Sequence, residues 1–229
     1  MVAPVLWRIG LLLTAIAFAV PGRAEPVALE LVLAVDASIS VTDGEFDLQV
    51  GGLARALRSE AVIGSIEAAG ADGIAIAVYQ WGNVDEQRLM VDWMHVAGRR
   101  DAYALSARIA AMPRAFVGGA TVIKSALDYA IPLFDDNGFE GPRRIVDISA
   151  DGRNNRGHSP TEARDRAVAS GITINGLVIL SEEPFLDRYF SEEVVGGPGA
   201  FVEAAAGYLD FVKAIERKLI REISDAPTS

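Results

Sequence analysis

Five oxygen-bearing residues, Asp36, Ser38, Ser40, Thr121 and Asp151, have the types and the placement to form one divalent-cation site. A small hard dication such as Mg²⁺ takes about six oxygens and keeps some of its water, so it suits few carboxylates and several hydroxyls. Two carboxylates and three hydroxyls supply that set and leave coordination positions over. Each residue alone has a simpler use: serines after a strand make turn hydrogen bonds, a threonine caps a helix, and Asp-Gly makes a turn. Taken jointly, all five fall at strand or helix ends on the same edge of an expected sheet, and that coincidence favours shared chemistry.

The elements that must position them follow from periodicity. Asp36-Ala37-Ser38-Ile39-Ser40 succeeds the apolar run 29–35, which has the composition of a buried parallel strand. The motif therefore sits at a strand's C-terminal end, where ligands bind in open α/β sheets. Thr42-Asp43-Gly44-Glu45 has capping-box spacing, and Phe46, Val50, Leu53 and Leu57 then recur on one helical face. Residues 73–81 form the next strand, 82–86 turn the chain, and 87–96 return antiparallel to it. A helix is expected over 101–112, ended by Pro113, and another opening at Thr121 with Ile123, Leu127, Ile131 and Phe134 buried. The run 143–150 is a strand that ends at Asp151-Gly152. Ser159-Pro160-Thr161-Glu162 combines an N-cap serine, a first-turn proline and a capping-box glutamate. Residues 172–180 and 199–203 supply two further strands, and Tyr208, Phe211, Val212, Ile215, Leu219 and Ile223 mark a final amphipathic helix. The expected fold is α/β and doubly wound: a mostly parallel sheet with one antiparallel hairpin strand and helices on both faces.

Residues 1–24 have one early cation, Arg8, an uncharged run over 9–20, a Pro21-Gly22 turn and small residues before Glu25. This is the pattern of a cleaved secretory signal peptide, the apolar stretch being short of the roughly 20 residues that span a bilayer. Residues 25–229 then constitute one domain. The leader holds two of the 21 basic residues and none of the 31 acidic ones, so the mature chain carries 19 against 31, a formal charge of −12. Nucleic acid and anionic membrane surfaces are poor partners for such a surface. The chain has no cysteine, which excludes disulfides, thiolate ligands, thiol catalysis and lipid attachment at a cysteine.

Asp-x-Ser-x-Ser after the first strand, Gly118-Gly119-Ala120-Thr121, and Asp151-Gly152 after a later strand resemble the metal-ion-dependent adhesion site (MIDAS) of von Willebrand factor A-like and integrin inserted domains, in order and in topological position. The segments 151–157, 171–177 and 194–202 narrow the likeness to a bacterial secreted branch, domain-of-unknown-function family 1194. The resemblance implies direct ligation of Mg²⁺ or Mn²⁺ by Ser38 and Ser40. Thr121 would ligate directly or through water, and Asp36 and Asp151 largely through water. It further implies an open position taken by an Asp or Glu of a protein partner, hence a secreted or periplasmic binder rather than an enzyme. A cation with few direct anionic ligands keeps charge for an incoming anion.

Topology also places Arg114, Arg153, Arg156 and His158 around the metal, as an expected basic rim that would steer an acidic partner. Asp147, inside an apolar strand, requires a buried partner. Trp81 and Trp93 are expected to pack, and Gly196-Gly197-Pro198-Gly199 to form a tight turn. The rival functions are a metal-free scaffold of the same fold and a serine esterase. Asp36-Ala37-Ser38-Ile39-Ser40 resembles an esterase Gly-Asp-Ser-Leu motif only with the wrong spacing, and Asp92-Trp93-Met94-His95 precedes the C-terminal region where an esterase Asp-x-x-His belongs. Neither a Walker A sequence nor Gly-x-Gly-x-x-Gly is present, which gives no basis for nucleotide chemistry.

Overall fold

The computed structural model describes residues 24–224. The expected leader therefore lies, up to Arg23, outside the described residues. Among those described, no helix is long and apolar enough to cross a membrane.

The chain order begins β1 (Glu25–Pro26), β2 (Leu29–Asp36), α1 (Asp43–Ala56), α2 (Glu60–Ala68), β3 (Ile74–Trp81), β4 (Gln87–Val96), α3 (Arg99–Ala110) and α4 (Ile123–Ala130). It continues with β5 (Phe139–Glu140), β6 (Arg144–Ala150), α5 (Thr161–Ala169), β7 (Ile172–Ile179), α6 (Leu186–Tyr189), β8 (Val202–Ala205) and α7 (Tyr208–Ser224). Six strands make one sheet in the order β4-β3-β2-β6-β7-β8, and only the β3–β4 pairing is antiparallel. From β2 the chain first winds outward through β3 and β4, then returns to β2's other side through β6, β7 and β8. The order thus reverses between β2 and β6, and the crevice at their C-terminal ends is the place where open α/β sheets hold ligands. Asp36 ends β2 and Asp151 directly follows β6.

Alternation along β2 builds the two layers. Leu29, Leu31, Leu33 and Val35 face a core shared with α1, α2, α3 and α7, while Val32 and Ala34 face a second core under α4, α5 and α6. Each of these leucines and valines removed from water contributes about 1.5–3 kcal/mol. The approach of α1 to α7 depends on Gly52, where an added Cβ would lie 2.8 Å from Phe211 Cδ1. α1 begins as its sequence requires: Thr42 accepts from the Glu45 amide, and the Glu45 carboxylate accepts from the Thr42 amide.

Several local expectations need correction. α2, capped by Ser59, is a second helix that the periodicity passes over. α4 starts at Ile123 rather than at Thr121, because the Thr121 hydroxyl is directed to Ser38 instead of capping. α5 starts at Thr161; Ser159 Oγ accepts from the Thr161 amide, but no reciprocal glutamate bond completes a capping box. The last strand forms over Val202–Ala205, after the glycine turn in which Gly197 (φ 97°) and Gly199 (φ 71°) take left-handed conformations. Trp81 is buried, and Trp93 packs against Phe134 while donating to the Leu133 carbonyl.

Candidate metal centre

The five residues converge at the β2/β6 crevice. Past the end of β2 the chain makes one more sheet contact, Ala37 N donating to Trp81 O at 2.8 Å, and then turns. Asp36 Oδ1 accepts from the Ser38 amide at 2.8 Å, an Asx-type closure that holds Ser38 and Ser40 side by side, their hydroxyl oxygens 3.2 Å apart. Thr121 Oγ1 donates to Ser38 Oγ at 3.2 Å, and Ser40 Oγ donates to Asp151 Oδ1 at 2.6 Å. Asp36 and Asp151, 115 residues apart in sequence, are thereby joined through the Ser38 amide and the Ser38 and Ser40 hydroxyls, with the Thr121 hydroxyl branching from Ser38. Asp36, Ser38, Thr121 and Asp151 are buried, whereas Ser40 is exposed and opens the cluster to solvent.

The electrostatics suit a cation. Asp36 Oδ2 is buried with no hydrogen-bond partner, an arrangement that is costly unless something positive or protic faces it. Burial, and then the neighbouring Asp151 carboxylate, push the Asp36 carboxyl up to about 7, against the lowering effect of its hydrogen bonds from Ser38. A dication among these oxygens would reverse both causes at once. Among the described residues, no three of Asp, Glu, His and Cys gather as a metal-holding group. The donor set here is instead two carboxylates and three hydroxyls, which fits Mg²⁺ or Mn²⁺ and not a thiolate- or imidazole-bound metal.

A shell of residues that the sequence reading did not single out holds these five in place. Tyr208, the first residue of α7, donates its phenol to Asp151 Oδ2 at 2.9 Å, so both oxygens of Asp151 are engaged. Its hydroxyl is shifted well above the ordinary tyrosine range, first by burial and then by the Asp151 charge, and stays a donor. Gln49 on α1 donates to the Asp36 carbonyl at 3.2 Å. Asn155 grips Thr121 from both sides, its side-chain oxygen accepting from the Thr121 amide and its own amide donating to the Thr121 carbonyl, each at 3.0 Å. Gly119 (φ 126°) admits the carboxylate of Glu86 where a Cβ would come within 2.5 Å of Glu86 Oε2. The spacing of Asn155 after Asp151-Gly152 was a usable signal, whereas nothing local marks Tyr208 as more than a buried helix position.

Only part of the expected basic rim forms: Arg153, Arg156 and His158 are exposed on the loop after Asp151, and Arg114 is withdrawn. Arg114 is largely buried and donates to the carbonyls of Ala37, Ser38 and Val41 at 3.2, 2.9 and 2.7 Å while pairing with Asp43. It clamps the motif loop, its terminal nitrogens taken by three carbonyls and the Asp43 carboxylate while its buried Nε has no partner. Arg153 is paired with Glu183 at 2.7 Å and lies over the Tyr189 ring, so its charge is spent locally.

Esterase geometry does not form around Ser38, whose hydroxyl partners are Ser40 and Thr121. His95 lies on β4 with Nε2 2.7 Å from the Asp72 carbonyl, at the opposite end of the sheet. Asp147, as its burial requires, is paired: Lys218 Nζ lies 2.7 Å from its Oδ1.

Comparison with solved structures places the fold. Proximal thread matrix protein 1 from the mussel byssus, in a form with a zinc-occupied MIDAS motif, superposes with a TM-score of 0.64 at 16% identity, over 86% of this chain and 48% of that one. A von Willebrand factor type A protein from Catenulispora acidiphila gives 0.58 at 15% identity over 86% of this chain and 43% of that one. Manganese-loaded TRAP protein from Plasmodium vivax gives 0.58 at 17% over 84% and 73%. The chain spans about half the length of the mussel protein, and at these identities the likeness establishes the fold alone. No curated protein matches the chain. The family described as a protein of unknown function (DUF1194) matches residues 26–227, so the chain belongs to that family, and in it the family's sequence adopts a von Willebrand factor A-type fold.

Proposed function

We propose that this protein is a secreted or periplasmic, non-enzymatic binding module in which Asp36, Ser38, Ser40, Thr121 and Asp151 hold Mg²⁺ or Mn²⁺. An open position on the ion takes an Asp or Glu side chain of a protein partner. The observation that carries the reading is the hydroxyl-carboxylate chain from Thr121 through Ser38 and Ser40 to Asp151, beside the unpartnered oxygen of buried Asp36. It stands at the crevice where the strand order reverses. Solved neighbours of the same fold with zinc or manganese support a divalent cation, and the leader pattern supports export. The absence of a histidine beside Ser38 supports a binder over a hydrolase.

Calorimetric titration of Mg²⁺ and then Mn²⁺ into the chelator-stripped mature protein tests it, with Asp151→Ala as the control. One saturable site per chain that is lost in the variant is the expected result. No heat in either protein would favour the metal-free scaffold, in which the hydroxyl chain serves only to tie β2 to β6.

A further inference from the structure

Exposed apolar side chains stand at the same end of the sheet as the candidate metal centre. Among the described residues, seven large hydrophobic side chains are exposed, and five of them stand at this one end of the sheet: Ile39, Val84, Val117 and Phe185 on the connections and Leu209 in the first turn of α7. Their exposures run from 45% for Val84 to 89% for Val117. Exposed hydrophobics scattered singly need no explanation, but five of seven at one end of the sheet do.

Each is tied to the centre by short contacts of its own loop. Ile39 lies between Ser38 and Ser40, its amide donating to the Gly119 carbonyl at 3.3 Å, and Val117 precedes the Gly118-Gly119 turn. Val84 follows Asn83, whose Cβ lies 3.1 Å from where a Cβ on Gly119 would stand. Phe185 is two residues from Glu183, which accepts from the Arg153 amide at 3.1 Å beside Asp151-Gly152. Leu209 follows Tyr208, the hydrogen-bond donor to Asp151.

We infer, building on the proposed metal-dependent binding, that Ile39, Val84, Val117, Phe185 and Leu209 form an apolar collar, and that the partner is a protein segment presenting a single carboxylate flanked by large apolar side chains. Charge complementarity selects this occupant over an acidic loop. The mature chain carries 31 acidic against 19 basic residues, and two of the three expected rim arginines, Arg114 and Arg153, are already paired. Further partner carboxylates would thus meet a net-negative surface, whereas one carboxylate meets the ion and its apolar neighbours meet the collar.

The test is selection of a displayed random 12-residue peptide library on the Mn²⁺-loaded mature chain, with elution by EDTA. The expected pool carries one Asp or Glu with Leu, Ile, Val, Phe or Trp within two positions. A synthetic peptide of that sequence should bind Val117→Ser/Phe185→Ser at least tenfold more weakly, with Mn²⁺ affinity unchanged. EDTA-eluted peptides with polar or basic flanks, or an unchanged affinity for the double variant, would overturn the collar while leaving metal-dependent binding intact. The absence of any EDTA-elutable peptide would sink both readings. Mn²⁺-dependent self-association in sedimentation velocity that disappears in the double variant would assign the face to a second copy of the chain and overturn the foreign partner.

Discussion

Replacing Lys218 by Met should destabilise the protein severely, for a reason visible in charge balance. Lys218 is fully buried on α7, with Nζ 2.7 Å from Asp147 Oδ1 and 2.5 Å from Glu222 Oε1, and Asn175 Nδ2 donates to that same Glu222 oxygen at 2.9 Å. The remaining oxygens, Asp147 Oδ2 and Glu222 Oε2, are buried without partners. Two carboxylates share one ammonium, so the cluster is neutral only while one carboxyl keeps its proton. Burial first, and then the Asp147 charge, push Glu222 up to about 8, against the pull of Lys218. Methionine preserves the stem but removes the cation, and breaking a buried pair in this way costs about 3–5 kcal/mol. The pH dependence has a definite sign. Glu222 keeps a proton in the folded state that the unfolded chain releases near its ordinary 4.5, so parent stability falls as pH rises from about 4.5 to about 8. Without Lys218 that fall steepens, so the gap between variant and parent is wider at pH 8 than at pH 5. Urea unfolding followed by circular dichroism at both values measures it. A loss below about 1 kcal/mol at pH 8, or a gap that widens toward pH 5, would refute the charge-balance reasoning. The cluster bears on function because the same helix presents Tyr208 to Asp151.

Metal affinity should depend on pH through Asp36, whose carboxyl lies at about 7 and must ionise to face a cation. Its ionised fraction rises about tenfold from pH 6 to pH 8, so the dissociation constant should fall by a similar factor, with about one proton released per ion near pH 6. Calorimetry in buffers of different ionisation enthalpy counts that proton, and pH-independent affinity without proton release would contradict the assignment. Arg114→Met should cost about 2–3 kcal/mol in thermal or urea unfolding, since it leaves the carbonyls of Ala37, Ser38 and Val41 without their charged donor. A variant as stable as the parent would show that the loop holds its shape unaided.

Where strong periodicity or capping chemistry decided the outcome, the sequence was sufficient. The buried run before Asp36, the hairpin turning at 82–86 and the Thr42 capping box all form as their residues dictate. α2 was not legible because its apolar residues follow Leu57 so closely that they merge with the face of α1, although Ser59 caps it, and α6, with four residues, makes little more than one turn. The two-residue strands β1 and β5 are tertiary accidents of the loop that Glu30 holds through Asn137 and the Gly141 amide. In the candidate site, the five residues that converge could be listed from their types and places in the chain. Arg114 and Tyr208 could not be given their roles, since a guanidinium's choice between solvent and three carbonyls depends on loop geometry that spacing does not encode. The exposed apolar side chains at the same face were equally silent, because exposure is a property of the fold.

If these five residues hold a divalent ion, anomalous diffraction from crystals of the mature chain grown with Mn²⁺ will locate it. One manganese peak is expected at the β2/β6 crevice, in contact with the Ser38 and Ser40 hydroxyls and close to Asp36, Thr121 and Asp151. A peak only elsewhere on the surface, or no peak at saturating Mn²⁺, would contradict the proposed site.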